Sequence, residues 1–442
     1  MKKPELPPTL AKPDLERIFK LLGEREYSDL VKSYNDDYLY WTELKYKPKP
    51  GNLNIKDVWL LLKLSRRLNS QIIRISDIEG FEFQYSLTSQ IQQKLHEFDL
   101  NLGGRLESDK LIPKEEKVRF LLSSIMEEAI ASSQIEGAVT TRKVAKEMLR
   151  NERKPKSKSE QMIMNNYHTI KRISELRSTT LTPAIIQEIH KLIAYDTLED
   201  KEDEGRFRTN NEINVVDGIT GESVYYPPDY KKIEQLIIDF CAFANEKNDN
   251  NFIHPVIRAS ILHFLIGYIH PFVDGNGRTA RAIFYWYLLS QDYWLIEYMS
   301  ISRLIIKSKV QYANAYLFTE LDENDLTYFI KYHVRTIDLA FSSLKDYINR
   351  KLKEKTQLYN YRRIKNLNDR QLLLLRLFHD DSERVLSIKE VQNRYGVVYQ
   401  TARTDLMSLE NLGLIKSSTS GKKKLIFVRS TDFESILKKL CK

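Results

Sequence analysis

Two apolar helical patterns joined by a short polar loop constrain this chain more than any other feature. Upstream, Ile257, Ile261 and Leu265 recur at helical spacing, and downstream an apolar run resumes from Thr279 to Leu289. The loop between them concentrates histidine, aspartate, asparagine and arginine within a few residues. Polar groups gathered between two apolar helices predict a helix–loop–helix whose turn is a functional site.

The composition agrees with a mainly α fold. The chain of 442 residues contains only 15 glycines and 13 prolines, which argues against a turn-dense β-sandwich or a collagen-like chain. Its length predicts about three domains. Hydrophobic residues make up 42% of the chain, which is enough for sizeable cores.

The loop itself has the pattern of an anion site. Gly275 and Gly277 flank an asparagine, so that backbone N–H groups can converge, and the following helix aims its positive dipole end at the same point. Arg278 and Arg281 lie three residues apart in the first turn of that helix, where they can reach further phosphate oxygens. The pattern predicts a polyphosphate ligand.

Two further groups predict a reaction. Asp274 is a carboxylate beside the predicted phosphate site, which is a usual way to hold Mg²⁺. His270 ends the first helix, and its imidazole can take a proton near neutral pH. A base opposite a metal-bound polyphosphate predicts that a hydroxyl is deprotonated and attacks phosphorus, in nucleotidyl or phosphoryl transfer.

Two other interpretations compete at this loop. Residues 275–280 also fit the dinucleotide fingerprint GxGxxA, although Pro271 interrupts the strand-to-turn transition and no βαβ alternation surrounds the loop. A purely structural helix–loop–helix is the other alternative, but it does not require this set of side chains. The GxxxxGK[ST] pattern of the usual P-loop is absent from the sequence.

The segment 270–281, HPFVDGNGRTAR, resembles the signature HPFx[DE]GNGRxxR of Fic-domain proteins. The resemblance implies an α-helical Fic fold and a nucleotidyltransferase (EC 2.7.7 class) that transfers AMP from ATP to a Ser, Thr or Tyr hydroxyl of a target protein. It implies His270 as general base and Asp274 as the Mg²⁺ ligand. It further implies that the α-phosphate is held by Asn276 with the Gly275 and Gly277 amides, and the β- and γ-phosphates by Arg278 and Arg281.

The segment INVVDGITGESVYYP, residues 213–227, has the pattern of a β-hairpin, with two short β-branched or aromatic runs around a DGITG turn. It resembles the flap of Fic proteins, which docks the target segment by strand addition. On this resemblance Val224, Tyr225 and Tyr226 are the target-docking residues. The alternative is an ordinary surface hairpin.

A second carboxylate is predicted to regulate the site. Val118, Leu122, Ile125 and later residues step along one face of a helix over about 115–137, and Glu136 ends that face. A carboxylate at the negative end of a helix needs a cation, unless it simply bends out to solvent.

The segment SSQIEG, in which Ser132, Glu136 and Gly137 are the motif positions, resembles the inhibitory motif [ST]xxxE[GN] of Fic proteins. The resemblance implies that Glu136 pairs with Arg281 and autoinhibits AMPylation. In some members the same glutamate supports removal of AMP, and the sequence leaves the direction open.

The positive charge of the chain is concentrated at its C-terminal end. The net charge is +9, and residues 361–442 hold 17 Lys/Arg against 9 Asp/Glu. This segment predicts helix, helix–turn–helix and hairpin in an order that looks like a winged helix, with Gln400, Thr401, Arg403 and Thr404 exposed on the recognition helix and Lys422 to Lys424 on the wing. DNA binding is one interpretation. A protein-interaction module and a solvated basic tail are the others.

We therefore expect three parts: an N-terminal helical region over 1–110, a Fic catalytic domain over 111–350 and a winged helix-turn-helix domain over 361–442. Two cysteines, no signal-like apolar region and no long apolar span predict a cytoplasmic protein outside the membrane. The predicted ligands are ATP with Mg²⁺, a protein target and, through the C-terminal domain, DNA; a homodimer is left open. The competing function is a DNA-binding transcriptional regulator whose Fic region senses nucleotide.

Overall fold

A computed structural model describes residues 3–9, 11–49, 53–76, 80, 82–103, 112, 117–216, 221, 223–246, 252–361, 364, 367–381, 383–420 and 424–440. Over these residues the chain is mainly helical, and it divides into two compact units, Met1–Leu344 and Lys345–Lys442. The finer division into 1–110, 111–350 and 361–442 stays a prediction.

The first hundred residues are mostly helical, and their hydrophobic core also includes Tyr328 of the central region. Ile18, Leu44 and Leu61 are fully buried in it. The elements in order are α1 (Lys12–Leu22), α2 (Arg25–Asp37), α3 (Trp41–Leu44), α4 (Ile55–Leu68), β1 (Gln71–Ser76), β2 (Glu82–Tyr85) and α5 (Ser89–Leu102).

The antiparallel pair β1–β2 is not among the sequence predictions for this region. Ile73 and Ile75 on β1 are buried, whereas the side chain of Ile72 on the opposite face is 57% exposed. This alternation is typical of a strand with one buried face. Phe83 on β2 packs edge-on against Phe264 in the central region, at 5.8 Å between ring centroids. The strand pair therefore supports one of the two helices that flank the polar loop.

The central region contains the helices predicted around the loop. Its elements are α6 (Lys117–Ile135), α7 (Arg142–Arg150), α8 (Lys158–Glu175), α9 (Pro183–Ala194), β3 (Val215–Val216), β4 (Ser223–Tyr225), α10 (Ile233–Asn245), α11 (Pro255–Ile269), α12 (Asn276–Ser290), α13 (Ser302–Ile305), α14 (Lys309–Leu321) and α15 (Thr327–Tyr361). Strands β3 and β4 pair antiparallel, with Val215 opposite Tyr225.

Helices α11 and α12 form the centre of this region. Their residues are buried almost all round, including Leu262, Phe264 and Phe284, as expected for helices without a polar face. Among the described residues, no helix is both long enough and apolar enough to span a bilayer.

The predicted buried stripe on α6 is only partly correct. Ile125 and Ala129 are buried against α8, but Val118 is 68% exposed and Leu122 is 37% exposed. The core shared with α8 and α7 includes Ile125 and residues C-terminal to it. The C-terminal half of α6, which leads to Glu136, is therefore the half that is held in place.

The second unit has a hydrophobic core of its own, which includes Leu375, Leu406 and Phe427. Its elements are α16 (Asp369–Asp380), β5 (Val385–Ser387), α17 (Ile388–Tyr395), α18 (Tyr399–Asn411), β6 (Ile415–Ser420), β7 (Lys424–Arg429) and α19 (Phe433–Leu440). Strand β5 and helix α19 are not among the sequence predictions; β5 joins the predicted hairpin in a sheet of order β5-β7-β6. Lys422 lies outside the described residues, and the side chain of Lys424 is not described.

Candidate functional site

The polar loop between α11 and α12 begins and ends with left-handed backbone. His270 is the C-cap of α11 with φ 49°, and Gly275 is the N-cap of α12 with φ 85°. Residues other than glycine rarely adopt such a φ, so contacts with neighbouring residues must hold the backbone of His270 in this conformation. The two reversals fold residues 271–274 across the N-terminus of α12, whose first amides have no acceptor within the helix.

His190 on α9 holds this loop from one side. Its Nε2 lies 2.8 Å from the carbonyl oxygen of Asp274, and its Nδ1 accepts the Gly205 N–H at 3.0 Å. Because Nδ1 accepts, Nε2 carries the proton and donates it to the Asp274 carbonyl. The ring stacks on Phe272 at 3.6 Å between centroids. Burial lowers the pKa of His190 to about 4, so the neutral ring that these bonds require persists at neutral pH.

Arg208 holds the loop from the other side, and the sequence reasoning missed it. Its Nε donates to the His270 carbonyl at 2.9 Å, and its backbone N–H donates to the Pro271 carbonyl at 2.8 Å. The guanidinium also donates to the carbonyls of Asn210 and Pro228. Arg208 is 3% exposed, and it links the loop to both ends of the hairpin segment. No motif marks it in the sequence.

The ring of His270 is held in one tautomer. Its Nδ1 lies 3.2 Å from the Gly267 carbonyl oxygen, which assigns the ring proton to Nδ1 and the lone pair to Nε2. Burial lowers the pKa of His270, and the positive charge of Arg208 lowers it further, while the Gly267 carbonyl opposes the shift. The ring is therefore neutral at pH 7, with one nitrogen able to accept a proton.

Arg278 is buried beneath the loop while Asp274 lies at its surface. Arg278 is 1% exposed and donates from Nη1 to the Ile193 carbonyl at 3.2 Å; its Nε and Nη2 have no hydrogen-bond partner among the described residues. Its Nη2 is 3.5 Å from Asp274 Oδ2, in an ion pair whose carboxylate side chain is 55% exposed. Burial lowers the pKa of Arg278. A buried guanidinium with unused donors is suited to bind an anion.

Asn276 shapes the loop rather than presenting its side chain to a ligand. Its Oδ1 accepts the Phe272 N–H at 2.9 Å, and its Nδ2 donates to the Phe272 carbonyl at 2.8 Å. The Gly275 N–H donates to Asp274 Oδ1 at 2.5 Å. Two of the groups predicted to hold the α-phosphate therefore have partners within the loop, and the amide of Gly277 lies beside them in the first turn of α12.

Arg281 is bonded to residues at the end of α6. Its Nε donates to Ser132 Oγ at 2.8 Å, and its Nη2 donates to Glu136 Oε1 at 2.8 Å and to the Ser132 carbonyl at 3.1 Å. Arg281 is 2% exposed, and its Nη1 has no partner among the described residues. Burial alone lowers the pKa of Arg281, but the charge and hydrogen bond of Glu136 outweigh it and the pKa is raised.

The Glu136 carboxylate lies directly over the N-terminus of α12. A Cβ added at Gly277 would collide with Glu136 Oε1 and would lie 3.3 Å from Arg281 Nη1. Gly137, the next residue, has φ 93°, which lets the chain turn away from α6 directly after the carboxylate. The carboxylate thus occupies the position that the helix N-terminus favours for an anion.

The hairpin β3–β4 stands beside the loop. The Tyr225 hydroxyl donates to the Tyr268 carbonyl on α11 at 2.8 Å, and burial raises the pKa of that hydroxyl. Tyr226 is 68% exposed, and Val224 is half-buried. Residues 217–220 and 222 of the predicted turn lie outside the described residues. Tyr225 is therefore an anchor of the hairpin, whereas Tyr226 faces solvent.

The arrangement fits a magnesium polyphosphate. Among the described residues no cluster of three or more His, Cys, Asp or Glu is placed to hold a metal, and Asp274 is a single exposed carboxylate at the mouth of the loop. Mg²⁺ in proteins takes one or two carboxylates together with substrate phosphates, so Asp274 fits as its one protein ligand.

The fold and this loop define a class: a helical protein in which a histidine caps the end of one buried helix and a glycine-containing loop leads into the N-terminus of the next. Residues 180–288 match the model of the Fic/DOC family. The protein is 29% identical over 127 residues to the protein adenylyltransferase Fic of Drosophila grimshawi, a match that covers 28% of this chain and 24% of that protein. The corresponding protein of Drosophila mojavensis is 30% identical over 127 residues, with 28% and 23% covered. Residues 180–288 of the chain therefore contain a domain of the Fic/DOC family.

Two solved structures are similar in fold. A Fic family protein from Desulfovibrio desulfuricans G20 aligns with a TM-score of 0.48 and 18% identity over 78% of this chain and 98% of that one. A Fic domain containing signaling protein from Bacteroides thetaiotaomicron VPI-5482 aligns with a TM-score of 0.44 and 20% identity over 57% and 97%. The chain spans about a quarter of the length of the curated relatives it matches.

Proposed function

We propose that this protein is an adenylyltransferase that transfers AMP from ATP to a hydroxyl of a target protein. One observation carries the proposal. A neutral His270 lies at the start of the loop, and a buried Arg278, with two nitrogens that lack hydrogen-bond partners among the described residues, lies in the first turn of α12. The name of the similar Drosophila proteins, protein adenylyltransferase, supports it. Mg²⁺ would be held by Asp274 together with the phosphates and would neutralise part of their negative charge.

The chemistry follows from the positions of these side chains. His270 Nε2 takes the proton of the target Ser, Thr or Tyr hydroxyl, whose oxygen attacks the α-phosphorus. A new P–O bond forms to the target, the bond from the α-phosphorus to the bridging oxygen breaks, and pyrophosphate leaves. The α12 N-terminus and Arg278 stabilise the negative charge on the phosphates. A segment of the target pairs with the hairpin β3–β4 next to the exposed Tyr226.

Glu136 inhibits this reaction by occupying Arg281. The carboxylate accepts a hydrogen bond from Nη2, so this nitrogen cannot donate to the phosphates. The negative charge of the carboxylate also repels the phosphates at the helix N-terminus. Removing Glu136 returns the Arg281 Nη2 donor to the ligand. Coupling of this kind is worth about 1 to 3 kcal/mol, or about 5- to 150-fold in activity.

The test is self-labelling with ATP that carries ³²P on its α-phosphate. We expect Glu136→Gly to increase label incorporation about 5- to 150-fold. We expect His270→Ala in the Glu136→Gly background to lower it by about a hundredfold or more, because general base catalysis contributes that much. Label on the γ-phosphate must not be incorporated, since only AMP is transferred.

Glu152→Gly is the matched control. It makes the same substitution at an exposed turn residue with φ 49°, where glycine is tolerated. Its incorporation should equal that of the wild type. Equal incorporation by wild type, Glu136→Gly and the double variant would contradict both the proposed activity and the proposed inhibition.

DNA binding by a winged helix in the second unit is a second candidate function. The observation that favours it is the first turns of α18, where Gln400, Arg403 and Thr404 are exposed while Ala402 and Leu406 are buried. That is the arrangement of a recognition helix that packs on one face and presents polar groups on the other. Such a protein would use its Fic region to sense nucleotide.

A labelled random-sequence duplex titrated with the full chain tests this candidate. We expect binding at about 50 mM salt that falls steeply by about 200 mM, because counterions are released from the phosphates. Arg403→Ala should weaken binding more than Lys438→Ala, which removes an equal charge from the exposed end of α19. Absence of any shift at the lower salt concentration assigns the unit to protein interaction instead.

A further inference from the structure

The amino-terminal segment Lys3–Thr9, which we call the arm, lies in a groove lined by aromatic side chains. It has no regular secondary structure. The Tyr40 hydroxyl donates to the Glu5 carbonyl at 2.9 Å, and the Trp59 indole N–H donates to the Pro8 carbonyl at 3.0 Å. Two buried aromatic donors therefore bind backbone carbonyls of one proline-rich segment.

The groove also binds the side chain of Glu5. One carboxylate oxygen accepts the Trp41 indole N–H at 3.0 Å, and the other is bonded to the Lys45 ammonium group. Trp41 and Trp59 pack edge to face at 6.0 Å between ring centroids, and Tyr40 and Trp59 do so at 6.2 Å. The groove thus has an apolar floor with donors for carbonyls and one cation for a carboxylate.

The spacing of the prolines matches this groove. Pro4, Pro7 and Pro8 are half-buried whereas Leu6 between them is 66% exposed. A polyproline II helix has three residues per turn, so that Pro4 and Pro7 lie on one edge of it. Aromatic-lined grooves also recognise PxxP segments in other proteins, where they bind the preformed polyproline II helix.

We propose that the groove formed by Tyr40, Trp41, Lys45 and Trp59 is a docking site for a proline-rich, acidic segment of a partner protein, of the type Pro-Glu-x-Pro-Pro. The arm is its occupant in cis. A tethered ligand is present at an effective concentration on the order of millimolar. A partner segment must therefore bind well enough to displace the arm, and the arm sets the threshold for docking.

The test uses the full chain with Glu5→Lys, which removes the acceptor for Trp41 and places a cation against Lys45. A fluorescent peptide of the arm sequence, KPELPPT, should bind this variant saturably in fluorescence anisotropy. It should bind the wild type at least about ten-fold more weakly, because the arm competes in cis. Glu16→Lys, the same substitution at an exposed residue of α1, should behave as the wild type does.

Two further samples make the result specific. The peptide KPKLPPT, in which lysine replaces the glutamate, should not bind, and Trp41→Phe in the Glu5→Lys background should weaken binding of KPELPPT at least ten-fold. If Glu5→Lys does not fold, the double variant Pro4→Gly, Pro7→Gly releases the arm without a new charge. The thermal midpoint of each variant is measured first.

Three results would overturn the proposal. The first is no saturable binding of KPELPPT to a folded variant with a released arm. The second is equal binding of KPELPPT and KPKLPPT. The third is a wild-type dimer in sedimentation velocity that Glu5→Lys converts to a monomer, because it assigns the groove to the arm of a second copy. None of these measurements depends on AMP transfer, so their outcome is independent of whether the proposed function is correct.

Discussion

At the scale of single residues, the site depends on side chains that hold the loop as much as on those that meet a ligand. Asn276 belongs to a motif that predicts a phosphate ligand, yet both ends of its amide bind the Phe272 backbone. His190 and Arg208 bind carbonyls of Asp274 and His270 from opposite sides. Residue type and spacing predict which groups can bind phosphate, but not which of them bind the chain itself.

Arg208→Lys tests this positioning role. A lysine has one nitrogen in place of three, so it cannot keep the bonds to His270, Asn210 and Pro228 together. We expect α-³²P incorporation by the Glu136→Gly protein to fall about ten-fold or more at saturating ATP, because a misplaced base acts on kcat. The apparent KM for ATP should change little.

The control is Arg206→Lys, an exposed residue two positions earlier. It should leave both constants unchanged. The thermal midpoint of each variant is measured alongside. A loss confined to KM, or a loss matched by unfolding at the assay temperature, would count against a positioning role for Arg208.

At the scale of elements, the end of α6 binds Arg281 and is itself held by its neighbours. Glu128, one turn before Ser132, accepts bonds from Ser300 and from the Ser302 backbone N–H, and so ties α6 to α13. Burial raises the pKa of this carboxyl. Lys309 at the start of α14 lies 3.4 Å from the carbonyls of Gln134 and Ile135 at the C-terminus of α6. Glu136 is thus presented by a helix that is held at several points.

Lys309→Met should loosen this presentation. A cation at a helix C-terminus contributes about 0.3 to 1 kcal/mol, so we expect α-³²P incorporation to rise at most about five-fold, less than for Glu136→Gly. Lys307→Met, at an exposed neighbouring lysine, should have no effect. Incorporation by Lys309→Met equal to or below that of the wild type would show that Lys309 does not help to hold Glu136.

At the scale of the whole molecule, burial of neutral histidines makes stability depend on pH. His333 is fully buried among aromatic rings, and neither ring nitrogen has a partner among the described residues. Burial lowers its pKa to about 3. The unfolded chain takes up the proton near the ordinary value of 6.5, while the folded chain does so only near 3. The contribution of His333 to the free energy of unfolding is therefore fully present above pH 6.5 and is lost as the pH falls toward 3.

We expect the free energy of unfolding to fall between pH 7 and pH 5, with His333 contributing about 2 kcal/mol of the decrease. His333→Phe keeps an aromatic ring without a titrating nitrogen, so its decrease should be smaller by that amount. Urea unfolding at both pH values measures the difference. His96→Phe, at an exposed histidine, should show the decrease of the wild type, and an unchanged decrease in His333→Phe would contradict the assignment.

Much of the fold was predictable because helical periodicity is local. The helices around the loop, the hairpin β3–β4 and the order of elements in the second unit are where the sequence places them. The strand pair β1–β2, strand β5 and helix α19 were not predicted, since each is short and depends on partners elsewhere in the chain. Phe83 on β2 packs on Phe264, β5 pairs with β7, and α19 packs into the core of the second unit. Val118 was predicted to be buried and is exposed, because periodicity indicates a face without showing how far a neighbour covers it.

The sequence by itself determined the chemical groups of the site and their order, because a helix–loop–helix brings residues 270–281 together whatever the remaining chain does. It also indicated that Glu136 either meets a cation or turns to solvent, since the end of a helix disfavours a carboxylate. The resemblance to the inhibitory motif named Arg281 as that cation, but only the tertiary structure shows the contact itself, between residues 145 positions apart, and shows that Arg208 holds the loop. Those contacts join helices and segments far apart in the chain, and no local pattern specifies which distant surfaces meet.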